Sequence, residues 1–216
     1  MDNSANDAAE QLRMIRKLME RATVYRALTG ETALIGGALA LLAAWASERK
    51  YSWDWITIWL AGLGLAVVFH IYQLWRAARV SRSRSLWSTG LKTALRCALP
   101  SLVTGGILGV LACKFISPLP REMAACFWIT HYGIALLAIR EFTPKSMVWL
   151  GWSFVVFGIT VFYLLFTSEA PRELFLMKFN GSRLMAITFG GFHMIYGALI
   201  VTLKPRDELN SDESAA

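Results

Sequence analysis

Six stretches of this 216-residue sequence contain no Asp, Glu, Lys or Arg: Thr32–Ser47, Trp55–Trp75, Cys97–Cys113, Met123–Ile139, Ser146–Ser168 and Leu184–Leu203. Charged residues make up 17% of the chain and hydrophobic residues 56%. An ordinary soluble domain carries roughly 25% charge. Charge this sparse, and confined to the ends of apolar runs, argues against a water-soluble fold. Cysteine is also scarce, at three residues, which excludes a disulfide framework. There is no Cys-x-x-Cys, no His-Glu-x-x-His and no Gly-rich phosphate loop, so the familiar zinc, protease and nucleotide sites are not written here. Acidic residues are almost missing from the apolar runs, and Ser153 and Thr160 have no histidine on their own run to activate them. The reading leans away from an enzyme.

What is present is hydrophobic length. A helix needs about 20 apolar residues to cross a hydrocarbon core of about 30 Å. Lipid offers no hydrogen-bond partner to the backbone, so helices are the expected spanning form. The sequence predicts an all-α membrane protein. Six transmembrane helices, at about 27–47, 55–75, 97–113, 123–139, 146–168 and 184–203, form three hairpins. Residues 1–9 read as a disordered tail and 205–216 as an acidic disordered one. Residues 10–26 read as a basic amphipathic helix, with Leu12, Ile15, Leu18, Met19 and Ala22 on one face. The first 26 residues lack the apolar core of a cleavable signal peptide.

Fifteen of the 22 Lys and Arg residues fall in the N-terminal segment, the second and fourth loops and the C-terminus. The positive-inside rule then puts both termini in the cytoplasm. The same distribution accounts for the net charge of +7, and nucleic acid is not an expected partner. The basic inner face, above all Arg76–Arg96, is expected to meet anionic lipid. The helix at 10–26 lies on the membrane or docks a cytoplasmic partner. A homo-oligomer is a further option.

Within the runs, small residues recur four apart: Ser101, Gly105, Gly109 and Cys113; Gly36, Ala40 and Ala44; Gly62 and Ala66; Ala186 and Gly190. Such stripes let helix backbones approach closely in lipid. Cys113 and Cys126 fall near the same outer boundary and are a candidate disulfide, against the alternative of two buried thiols. In the long last outer loop, Ser168 is expected to cap a short helix that Asn180-Gly181 ends. Asn180-Gly181-Ser182 is also a glycosylation sequon.

The three histidines are the most pointed feature. His70, His131 and His193 fall one in the returning helix of each hairpin, each near a tyrosine: Tyr72, Tyr132 and Tyr196. Ionisable groups inside a membrane are costly and are candidates for function. Three readings compete. Each imidazole hydrogen-bonds a neighbouring helix; or His131 and His193 together hold haem or a metal; or the histidines line a proton or solute path.

The segment Leu12-Arg-Met-Ile-Arg-Lys-Leu-Met-Glu-Arg-Ala-Thr-Val-Tyr, followed by Leu34-Ile-Gly-Gly-Ala-Leu, resembles a group of uncharacterised bacterial membrane proteins. The resemblance covers mainly the first 45 residues. It implies the bacterial inner membrane and brings no known activity. The sequence therefore points to a non-enzymatic interaction or scaffold protein, with a small transporter or a histidine-ligated haem or metal protein as the alternative.

Overall fold

In the computed structural model, residues 30–80, 89–115, 119–166 and 179–202 are described, together with Glu10. The amphipathic helix expected at 10–26, the inner loop beyond Val80, the helix expected after Ser168 and both tails lie outside the described residues, in whole or in large part. Every element among the described residues is helical. We number them α1 Gly30–Ser47, α2 Ser52–Val80, α3 Thr89–Phe115, α4 Pro120–Ala138, α5 Lys145–Phe166 and α6 Gly181–Thr202. A 3-10 turn at Arg140–Phe142 joins α4 to α5.

Five of these, all but α4, are long and apolar enough to cross a membrane. The exception is instructive. Its 19 residues begin with Pro120, Arg121 and Glu122 and carry Thr130, His131 and Tyr132 in mid-helix. Those polar groups lower its hydropathy. They are tolerated because ten of its residues are buried against protein, Arg121 and Glu122 among them.

Neighbouring helices run antiparallel. Gly30 backs onto Gly197, Gly37 onto Gly190, and Ser47 meets Ser182, so α1 and α6 lie side by side along their whole length. Gly105 and Gly109 of α3 face His131 and Trp128 of α4. Gly133 and Thr130 of α4 face Gly151 and Gly158 of α5. Gly30 also lies against Val201, which puts the first and last described helical residues at one end of the bundle. We call it the terminal end and its opposite the distal end.

Two groups of three emerge. Helices α1, α2 and α6 pack together, as do α3, α4 and α5, and backbone approach between the groups is concentrated at the distal end. There the Trp55 ring of α2 stacks on Trp128 of α4, 5.3 Å between centroids and 16° from parallel. At mid-height the groups meet through aromatic side chains. Helix α2 stands at the rim. Its first turns bury Trp55, Ile56 and Trp59, while Leu63, Leu65, Val68, Ile71 and Tyr72 further along are exposed.

The small-residue stripes are partly relocated by one residue. Gly105, Gly109 and Gly190 each sit where a neighbouring chain passes within the reach of a Cβ. Gly36 does not: nothing lies within 4 Å of its Cβ position, and the close approach belongs to Gly37, where a Cβ would lie 3.0 Å from the Gly190 carbonyl oxygen. One residue turns a helix by about 100°, which carries the contact from one glycine to the next. Ser101 does more than stay small, since its hydroxyl donates to the His131 carbonyl across the α3–α4 contact at 2.8 Å. Cys113 and Cys126 are both buried in one core.

Candidate functional site

Polar side chains collect at two depths. The first is the distal end, where α1 stops, α4 starts and α6 starts. Helix ends leave carbonyls and N–H groups without partners, and here they are satisfied by one another's side chains. Asn180 N-caps α6, its Oδ1 accepting from the Arg183 N–H at 3.0 Å. The pair opens a helix; the short helix expected to end at Asn180-Gly181 lies outside the described residues. Glu122 accepts from the Gly181 N–H at 3.1 Å, placing a carboxylate at the positive end of α6. Arg121 donates to the Lys50 carbonyl at 2.9 Å and the Glu48 carbonyl at 3.4 Å, just past the end of α1. Its guanidinium carbon lies 4.3 Å over the Tyr51 ring, and Nη2 is 3.9 Å from Glu122 Oε1. Glu48 in turn accepts from Arg183 Nε at 2.9 Å and Asn180 Nδ2 at 3.0 Å.

Beneath these charges runs a chain of neutral donors. Trp55 Nε1–H donates to Ser182 Oγ at 2.9 Å. Ser47 Oγ donates to the Ala44 carbonyl at 3.2 Å. With that proton spent, the 2.9 Å contact between the two hydroxyls has Ser182 as donor and Ser47 as acceptor. Both serines are fully buried. The sequon is thereby closed to modification in the fold, since Asn180 Nδ2 is bonded and Ser182 is sealed in the core. Sequence reasoning missed this clasp. The signal available was the charge pair Arg121-Glu122 directly after a helix-opening proline.

The second depth is the middle of the bundle. Residues Ala186–Phe192 of α6 form π-helical turns, a rarity frequent at functional sites. His193 follows at once. Its Nε2 lies 2.8 Å from the Tyr132 hydroxyl of α4. Its Nδ1 is buried without a hydrogen-bond partner among the described residues. Phe189 stacks on the imidazole at 6.1 Å and 9°, while Phe154 meets it edge-on at 5.5 Å. Phe192 adds a further edge contact to Phe154 at 5.4 Å. Tyr132→Phe removes only the hydroxyl. It is expected to cost about 1 kcal/mol in an SDS-unfolding titration, the scale of an interhelical hydrogen bond in a membrane. Unchanged or raised stability would show that the bond contributes nothing.

The six residues singled out by sequence do not form one site. The structure pairs His193 with Tyr132, from different hairpins, and its sequence neighbour Tyr196 is buried in the same core. His131 points to α3, where its ring lies on Gly105, and its Nδ1 contacts the Phe127 carbonyl of its own helix at 2.8 Å. It therefore occupies a different face of α4 from Tyr132. A haem or metal shared by His131 and His193 does not fit this arrangement. His193 has Nε2 engaged and rings against it, and the two imidazoles are turned apart. Among the described residues no group of three or more His, Cys, Asp and Glu is placed to hold a metal ion. His70 sits half-buried on α2, and Tyr72 is exposed beside Trp75. The chain matches no protein-family profile, no curated protein and no solved structure.

Proposed function

We propose that this chain is a six-span protein of a bacterial inner membrane, with both termini cytoplasmic, which works by engaging another membrane component and not by covalent chemistry. The sixth span is α4. At about 1.5 Å per residue its 19 residues reach about 28 Å, close to the hydrocarbon thickness of about 30 Å. Exposed Trp45, Tyr51 and Trp53 at the distal end and Tyr72, Trp75 and Trp149 towards the terminal end suit the two aromatic belts of a spanning bundle. The terminal end carries the surplus of Lys and Arg, which supports its cytoplasmic assignment.

The observation that carries the engagement reading is α2. Beyond Trp59 it keeps one half-buried face with Gly62 against Ala43 and leaves Leu60, Leu63, Leu65, Val67, Val68 and Ile71 exposed, ending in Trp75 with Arg79 stacked at 3.7 Å. Photo-crosslinkers at Leu65 and Val68 in native membranes are expected to give a discrete protein adduct, while crosslinkers at Val156 and Ile159 of α5 give only lipid. Lipid adducts alone at all four positions would remove the support. A small transporter is the second reading, favoured by the π-helical turns of α6. Its core requirement is solute flux into proteoliposomes that Tyr132→Phe alters.

A further inference from the structure

Helix α4 is enclosed on most sides, but one strip of it faces outward. Phe127, His131, Ile134 and Ala138 lie at successive steps of three or four residues, on one helix face. Ile134 is 42% exposed, Ala138 is exposed, and Phe127 and His131 are half-buried. The strip is the floor of a shallow groove between α3 and α5. On the α3 side Gly105 lets the imidazole lie against the helix backbone. On the α5 side Phe162 closes on Phe127 at 6.3 Å between ring centroids.

His131 is fixed in this groove by its own hydrogen bonds. A carbonyl only accepts, so the 2.8 Å contact with the Phe127 oxygen requires the proton on Nδ1. Nε2 is then a lone-pair acceptor. Among the described residues nothing donates to it, and it is not among the sealed, unpartnered atoms. It opens toward the groove. His131 lies about 17 Å along α4 from Pro120, which is near the centre of a bilayer that α4 crosses. Lipid tails offer no donor there, and an unmatched acceptor in hydrocarbon is costly.

We propose that His131 Nε2 is the acceptor of a lateral binding site for a membrane-dissolved molecule bearing a hydroxyl headgroup, of the hydroquinone class. The tautomer sets the selectivity. An acceptor nitrogen bonds the hydroxyl of a hydroquinone and not the carbonyl of the oxidised quinone, which can only accept. Phe127 and Phe162 supply aromatic surface for the ring, and Ile134 and Ala138 the apolar floor for a tail. The inference rests on α4 crossing the bilayer, which topology reporters fused within residues 140–145 test separately.

Full-length protein in lipid nanodiscs, with 15N-labelled imidazoles, is titrated under argon with decyl-hydroquinone and separately with decyl-benzoquinone. The His131 Nε2 resonance is expected to shift saturably with the hydroquinone only. His131→Phe is expected to weaken hydroquinone binding about tenfold, the scale of one lost hydrogen bond, and to leave quinone partitioning unchanged. Ile134→Trp fills the groove while keeping the imidazole, so it should abolish the shift without moving the ligand-free resonance. Equal binding of both redox forms, or hydroquinone binding that survives both substitutions, overturns the proposal. A Soret band in the protein as isolated, lost in His131→Phe, overturns it in favour of haem.

Discussion

Arg121→Ala is expected to lower stability by about 3 kcal/mol, the cost of stripping one partner from a buried ion pair. The side chain is 11% exposed and that of Glu122 7%. Removing it leaves the Glu122 carboxylate buried beside α6 without its cation, and leaves the Lys50 and Glu48 carbonyls without a donor. Arg121→Lys retains a charge but not the planar fork that reaches both carbonyls and covers the Tyr51 ring, so it should recover only part of the loss. The measurement is thermal unfolding of a C-terminal fluorescent fusion in mild detergent. Equal melting of the alanine variant and the wild type would show that the clasp does not hold the distal end together.

Gly133→Ala is expected to be as damaging, through sterics instead of charge. A Cβ at that position would lie 2.7 Å from the Gly151 carbonyl oxygen and 2.8 Å from Phe154 Cβ. Neither neighbour is a flexible chain end, so α4 and α5 must separate and the core loses contacts along their whole crossing. Overpacking of this kind costs about 1–3 kcal/mol, and loss of the close approach that drives helix association in lipid adds to it. Gly36→Ala is the control. With nothing within 4 Å, it should be neutral or slightly stabilising, because alanine is the better helix former. If both alanines behave alike in the same unfolding assay, the α4–α5 crossing is not the tight contact described here.

The helical framework was legible in the sequence because the cost of burying charge in lipid is written directly into residue choice. Even α4 showed as the charge-free run Met123–Ile139, although its polar mid-section keeps it from qualifying on apolarity. Residues such as His131 and Tyr132 are admissible because they face protein or find partners in it. Contacts that depend on angle were less legible. A stripe of small residues predicts that helices approach, but not which of two adjacent glycines meets the neighbour, and Gly36 and Gly37 differ by about 100° of rotation. The distal clasp was hard to read because its long-range bonds join residues 59 to 135 positions apart, and the local pair Arg121-Glu122 does not say which residues it meets. That Asn180-Gly181 opens α6 was not anticipated, for a related reason. The pair has local chemistry suited to either end of a helix, and the choice is made by Glu48 and Glu122 reaching it from elsewhere. The His193–Tyr132 bond crosses hairpins and escaped a search that paired each histidine with its nearest tyrosine in sequence.

The π-helical turns of α6 bear on how this chain can vary. The helix has two appointments to keep: Ser182 and Gly181 must meet Ser47, Trp55 and Arg121 at one end, and Gly190 and Gly197 must lie flat on α1 further along. A uniform α-helix has one fixed phase between such points. The wider turns at Ala186–Phe192 act as a vernier between them. Regular pitch with every residue kept would rotate everything after it by about 100°, swinging His193 away from Tyr132 and a bulkier side chain against α1, whereas loss of a single residue in that interval would restore regular pitch and leave the rest in phase. This short segment can therefore shed one residue where the rest of α6 cannot. A one-residue deletion there should be tolerated better than one in the α-helical turns that follow.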